Sequence, residues 1–284
     1  MKVLVSGADG QLGYELLQNV PLGIEAVALG RTEFDITKSQ NVIDVVKAVE
    51  PSVIINAAAY TAVDKAETDS TRAYAVNADA LGVLAEACVT INAKLIHVST
   101  DFVFDGIQGG YNEASNTNPL GVYGASKLAG EHAIQVSAVN AAIIRTAWVY
   151  SAHGNNFVKT MLRLMAEKEA LSVVSDQRGT PTWAKGLAKA CWALAQSDAS
   201  GIYHYTDEGE CSWYEFACEI QRQALELGLL KKKIPIRPIP SESYPTPAKR
   251  PANSVLNTSR IQNEQSIELY GWQSQLSAML GQLV

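Results

Sequence analysis

Few cysteines, no extended basic cluster and no long apolar run are present, and each scarcity removes a class of function. The four cysteines (Cys88, Cys191, Cys211, Cys218) contain no C-x-x-C pair, so neither a disulfide framework nor a thiolate metal site is indicated. They read as reduced, mostly buried apolar residues of a cytoplasmic chain, and no secretory signal precedes the first apolar strand. The four histidines (His97, His132, His153, His204) lie far apart, without metal-ligand spacing. The formal net charge is -6 and the main basic run is Lys231–Lys233, which reads as a solvated helix end. Neither nucleic acid nor an anionic membrane is therefore an expected partner. No apolar run reaches the roughly 18 residues that a membrane helix needs. What is left is a soluble globular chain of 284 residues, 47% hydrophobic and 18% charged, long enough for one large domain or two modest ones.

Short β-branched apolar runs recur at Met1–Ser6, Glu25–Leu29, Ser52–Asn56, Lys94–Ser99, Ala142–Thr146 and Leu171–Val174. They show no polar alternation, the mark of strands buried on both faces in a parallel sheet. Helical stretches separate them at Leu12–Asn19, Ser39–Val49, Ala66–Thr90 and Tyr123–Val139. Strand and helix in alternation predict an α/β fold, a doubly wound parallel sheet of Rossmann type over residues 1–150. Beyond residue 150 the rhythm breaks. Helices at Phe157–Lys168, Trp183–Ala195 and Trp213–Leu229 come with fewer strands, and Ile234–Pro251 holds six of the ten prolines. Such a segment runs extended over a surface rather than inside a helix or a central strand. The remainder, 151–284, is expected to form a smaller α/β substrate-binding domain. The chain is expected to cross back to the sheet near 171–182, and 234–251 is a second candidate crossing.

Directly after the first strand comes Gly7-Ala8-Asp9-Gly10-Gln11-Leu12-Gly13, a G-x-x-G-x-x-G pattern that opens a helix. Glycine serves where a turn takes positive φ, where backbone approaches a pyrophosphate, and where helix packs on strand. The helix start then offers free N–H groups and a positive dipole end to phosphates. This context is what the dinucleotide fingerprint requires. At the end of the second strand, Arg31 suits a ribose 2′-phosphate and so NADPH. Glu33 and Asp35 keep NADH open, because an acidic residue about 20 positions past the glycines binds a 2′-hydroxyl. Arg31 as a plain surface ion-pair partner is the simpler alternative.

Tyr123 and Lys127 lie four apart at the start of a helix and share one face. The preceding strand ends in Ser99-Thr100-Asp101, placing hydroxyls at a carboxyl end, where doubly wound sheets bind ligands. Asn77 sits on the helix before it. A hydroxyl, a tyrosine and a lysine beside a nicotinamide make a proton-transfer device. A free tyrosine has a pKa near about 10, and positive charge beside it lowers that value toward working pH.

With Asn56-Ala57-Ala58-Ala59, Ser99-Thr100 and Tyr123-Gly124-Ala125-Ser126-Lys127, the sequence resembles the extended short-chain dehydrogenase/reductase family. Further blocks (56–67, 99–106, 119–131, 145–150, 175–182 and 250–256) are similar to the branch that reduces dTDP-linked 4-keto sugars. The resemblance implies hydride delivery from NAD(P)H to carbon 4 of dTDP-4-dehydro-L-rhamnose. Tyr123 would be the proton donor, Thr100 the carbonyl hydrogen-bonding group, and Lys127 the residue that holds the cofactor ribose and lowers the tyrosine pKa. Gly7, Asp9, Gly10, Gln11, Leu12, Gly13, Arg31, Asp35 and Ala57–Ala59 would bind the cofactor. Asp101, Phe102, Trp148 and Arg250 would meet the substrate. Phe102 stands where the family more often has tyrosine, which removes one hydroxyl. Trp148 reads equally well as a core tryptophan, whereas the guanidinium of Arg250 suits the substrate diphosphate. Thr180-Pro181-Thr182 shapes the cleft wall or is a turn, and Asp64 and Glu67 read as surface charges. The resemblance also implies a homodimer and, in some members, Mg2+ at its contact, although no carboxylate cluster offers ligands. Its alternatives are another nucleotide-sugar 4-ketoreductase and a non-catalytic NADP-binding regulatory subunit.

Overall fold

A computed structural model describes all 284 residues. Strands β1 (Lys2–Ser6), β2 (Glu25–Leu29), β3 (Val53–Asn56), β4 (Lys94–Thr100) and β5 (Ala141–Thr146) join a sixth, Gly201–His204, in one sheet. The order is Gly201–His204, β5, β4, β3, β1, β2, and every pairing is parallel. Successive strand side chains point to opposite faces, and the core divides accordingly. Val3, Val5, Val53, Ile55 and Ile96 pack with helix α1 (Gln11–Gln18) and the helix Ala184–Ala195. Leu4, Ile54, Leu95 and Ile143 pack with helix α2 (Ser39–Val49) and the helices Ala80–Thr90 and Val122–Gln135. The doubly wound expectation holds. A third cluster, including Val158, Met161, Phe216, Ile220, Trp272 and Leu276, forms the core of a lobe drawn from the second half of the chain.

Two expectations are corrected. Leu171–Val174 does not return to the main sheet; it pairs in parallel with Ile236–Ile239 in a separate two-stranded sheet. The returning strand is Gly201–His204, alongside β5. The proline-rich segment supplies an edge strand, the place in a sheet where Pro238 and its missing N–H are tolerated. At its end this segment does come back against the first half, where the Ala248 amide and the Arg250 guanidinium donate to Asp64, and beyond it Asn257 N–H donates to Tyr111 O at 2.7 Å.

The long helix expected over Ala66–Thr90 is interrupted. Val63–Ala66 stands apart, and the helical path from Ser70 to Thr90 contains a π-turn at Ala75–Asp79. The extra residue of a π-turn re-aims a side chain, here Asn77. Its amide donates to Tyr60 O and to the Ser126 hydroxyl, and its Oδ1 accepts Tyr60 N–H. At Gly130 the two helices meet backbone to backbone: a Cβ there would lie 1.9 Å from Asn77 O. The helix bearing Tyr123 is thereby seated directly on this turn.

Candidate active site

The sheet order reverses between β1 and β3, and ligands of open α/β sheets bind beyond the carboxyl ends of the strands at such a point. Gly7 follows β1 with φ +70, and a Cβ there would come within 2.7 Å of Ala58 N. Only glycine lets the β1 turn lie this close to the β3 turn. Gly10 N-caps α1 without any side chain taking its first amides, which suits an incoming phosphate. Gly7, Asp9, Gly10, Arg31, Asp35 and Ala57–Ala59 line one cleft of about 220 Å³, together with Thr37, Tyr60 and Arg72. Gln11, Leu12 and Gly13 are not at its wall. Gln11 Oε1 accepts Asn156 Nδ2 at 2.9 Å, and the Leu12 side chain is in the core. Asp35 is engaged by its own turn: Oδ1 accepts both the amide and the hydroxyl of Thr37, which hold its carboxyl below the usual range. Two exposed guanidiniums, Arg31 and Arg72, therefore face the cleft, while both acidic candidates for a ribose are engaged, Asp35 by Thr37 and Glu33, which is not at the wall, by the Gly30 amide at 3.2 Å.

Thr100 ends β4, and Tyr123 stands in the first turn of the helix Val122–Gln135. That helix has Gly121 at its N-cap and no cap from its own sequence; Glu67 Oε1, 55 residues away, accepts the Val122 amide at 2.9 Å. Glu67 is thus the cap of the Tyr123 helix and not a free surface charge. Phe102 sets its ring edge-on to Tyr123, with centroids 5.4 Å apart. Burial pushes the Tyr123 phenol up to about 12; the Thr100 hydroxyl pulls it down and the Asp101 carboxylate pushes it further up. In the protein alone Lys127 does not supply the lowering expected of it. Its Nζ, fully buried, donates to Val98 O at 2.6 Å and lies 3.2 Å from His97 Nε2. Burial in turn brings Lys127 down to about 8, with Glu131 opposing.

Asp101 is buried beside this pair. Its Oδ1 accepts the Thr100 hydroxyl at 3.1 Å and its Oδ2 has no partner. Burial raises it to about 6 against the pull of the Ser254 and Thr100 hydroxyls. Trp148, at φ +47, stacks on Trp213 with centroids 3.5 Å apart. One face is therefore taken by the second lobe. Arg250 is held by Asp64 Oδ2 at 2.7 Å, by Thr246 and by Ala248 O. Asp64 is consequently its ion-pair partner. Thr180 donates to Gly209 O at 2.8 Å. No group of three or more His, Cys, Asp or Glu side chains is arranged for a metal ion, and no helix is long and apolar enough to cross a membrane. All four cysteines are free. A larger groove of about 570 Å³, lined by Tyr14, His153, Lys185 and Gln282 among others, contains none of the residues above.

The sequence matches the model of the RmlD substrate binding domain over residues 1–284. The chain belongs to this family. Among its relatives is dTDP-4-dehydrorhamnose reductase of Burkholderia thailandensis, 42% identical, with 96% of this chain and 95% of that protein covered. The enzyme of the same name from Escherichia coli K12 is 40% identical, with 100% and 98% covered. Among solved structures, dTDP-4-dehydrorhamnose reductase from Bacillus anthracis in complex with NADP superposes with a TM-score of 0.94. It is 36% identical, with 99% of each chain covered. The RmlD relatives are oxidoreductases by name, in agreement with the Rossmann architecture and the short-chain dehydrogenase/reductase resemblance.

Three contributors escape sequence reasoning: Arg72 in the cofactor cleft, Glu67 at the helix start, and His97 against Lys127. A weak signal existed for the last, since His97 lies within the strand run that ends at Thr100.

Proposed function

We propose that this protein reduces the 4-keto group of dTDP-4-dehydro-L-rhamnose to give dTDP-L-rhamnose, with NADPH as reductant. The observation that carries it is the placing of Thr100 and Tyr123 together at the carboxyl end of β4, next in the sheet to the strand whose turn closes on Gly7. The residues at the cleft suit the dinucleotide: a turn only glycine can make, uncapped helix amides, and two guanidiniums. When bound, NADPH supplies the hydride. Tyr123 donates the proton to the ketone oxygen, and its raised pKa keeps it charged with that proton at neutral pH. Thr100 hydrogen-bonds the same oxygen, and Lys127 steadies the donor side of the site. Arg250 suits the diphosphate of the dTDP-sugar if it exchanges its Asp64 contact for phosphate oxygens.

An assay of NAD(P)H consumption tests this, with dTDP-4-dehydro-L-rhamnose beside dTDP-4-keto-6-deoxy-D-glucose. Turnover confined to the L-sugar, with dTDP-L-rhamnose as product, is the expected result. Turnover of the D-sugar alone would make it another 4-ketoreductase. Silence with both, despite tight cofactor binding, would favour a regulatory subunit.

Arg31 carries the cofactor preference. Arg31→Ala is expected to weaken NADPH binding about tenfold, the equivalent of about 1.4 kcal/mol, and to leave NADH nearly untouched. Binding titrations with both cofactors check this. An unchanged NADPH/NADH ratio would make Arg31 a surface charge and leave Arg72 as the phosphate contact.

A further inference from the structure

Three buried polar side chains stand side by side toward the carboxyl ends of the central strands β1, β3 and β4. The β1–β3 register sets Ser6 opposite Asn56, and the β3–β4 register sets Asn56 opposite His97. All three are shut off from solvent, as is Lys127 at the end of the row. The row is bonded throughout. The Ser6 hydroxyl donates to Asn56 Oδ1, which also accepts the Ala58 amide at 3.3 Å. Asn56 Nδ2 lies 3.0 Å from His97 Nδ1, and His97 Nε2 lies 3.2 Å from Lys127 Nζ.

The positions of the protons follow from donor and acceptor chemistry. A backbone N–H can only donate, so the Asn56 atom facing Ala58 is the amide oxygen, and its NH2 faces His97. His97 Nδ1 then accepts, and a neutral imidazole accepting at Nδ1 carries its proton on Nε2. Burial and the charge of Lys127 hold His97 well below the usual histidine range, so it stays neutral. Its Nε2–H thus points at Nζ. An ammonium presents only N–H groups to that donor, whereas an amine presents a lone pair.

We infer that Asn56 and His97 are positioning residues for Lys127: by presenting an N–H to Nζ, the row favours the amine and eases release of the lysine proton. Burial of Nζ works in the same direction. Glu131, one turn further along the helix, opposes both and is itself paired with Arg145 of β5. Of the other titratable groups on neighbouring elements, Asp101 and Tyr123 sit at the head of the helix and Glu67 caps it. Apart from His97, only the Val98 carbonyl bonds Nζ. The catalytic consequence rests on the reductase reading: the ammonium form of Lys127 is the one that lends positive charge to the donor side of the site. Activity then falls as pH rises through the lysine value, when the ammonium is lost.

Two measurements on the full chain decide the matter. In 15N-histidine-labelled protein, with His97→Gln identifying the resonances, His97 is expected to be protonated at Nε2 and bare at Nδ1 from about pH 6 to 8. An Nδ1–H tautomer overturns the inference, whether or not the protein turns over any sugar. In the assay, His97→Leu removes the donor and is expected to move the alkaline limb of kcat up by about one pH unit. Should His97→Leu fail to fold, the tautomer measured in the unsubstituted protein decides the matter. A limb that stays in place or moves down would make the row purely structural.

Discussion

Tyr123→Phe is expected to lower kcat about 10²- to 10⁴-fold and to leave the affinity for NADPH unchanged. The substitution removes one hydroxyl and nothing else that the fold uses. The edge-on contact with Phe102 is between rings and survives, and the Ser126 hydroxyl bonds the backbone carbonyl of residue 123, not its side chain. What is lost is a proton held against release: burial has lifted the phenol to about 12, so at neutral pH it enters each turnover loaded. The lowering expected of Lys127, absent in the protein alone, would bring the phenol nearer the working pH, where a general acid is most effective. Stopped-flow measurement of NADPH oxidation beside a binding titration separates the two effects. Retained turnover would remove Tyr123 from the mechanism.

Much of this site could be read from the chain before any coordinates. The strand runs were legible because burial on both faces leaves an uninterrupted apolar signature, and the glycine turn because its residue types answer to backbone demands. Leu171–Val174 shows where that stops. A four-residue apolar run reads alike whether it enters a central sheet or pairs with Ile236–Ile239, because the partner is chosen by contacts far away in sequence. Gly201–His204 was missed because GIYH is short and begins exposed. Glu67 and Asp64 looked like surface charges for the same reason: their partners, Val122 and Arg250, lie 55 and 186 residues away. The π-turn at Asn77 left no pattern at all, since one inserted residue keeps helical periodicity on both sides.

The largest loss of stability is expected from Glu131→Gln, about 3–5 kcal/mol. Glu131 is completely buried and Arg145 is 3% exposed. Nε and Nη2 of the arginine reach the carboxylate at 3.0 and 2.7 Å, and the Ser99 hydroxyl donates to the same Oε1. Such a pair adds little net stability by itself, because desolvating two charges offsets their attraction; removing one partner strands the other. Arg145 has no alternative carboxylate: its Nη1 is unpartnered and its guanidinium lies 5.1 Å over the Phe104 ring. The pair also ties the helix of Tyr123 and Lys127 to β4 and β5, one residue before Thr100, so its loss should loosen the geometry of catalysis as well as the fold. Urea unfolding of Glu131→Gln beside the double variant Glu131→Leu/Arg145→Leu separates the causes. If the stranded charge is the cost, the double variant regains most of the stability despite having lost both groups. A double variant as unstable as the single one would locate the cost in the lost Ser99 and inter-strand hydrogen bonds, and a single variant near wild type would mean that the Arg145 charge finds water.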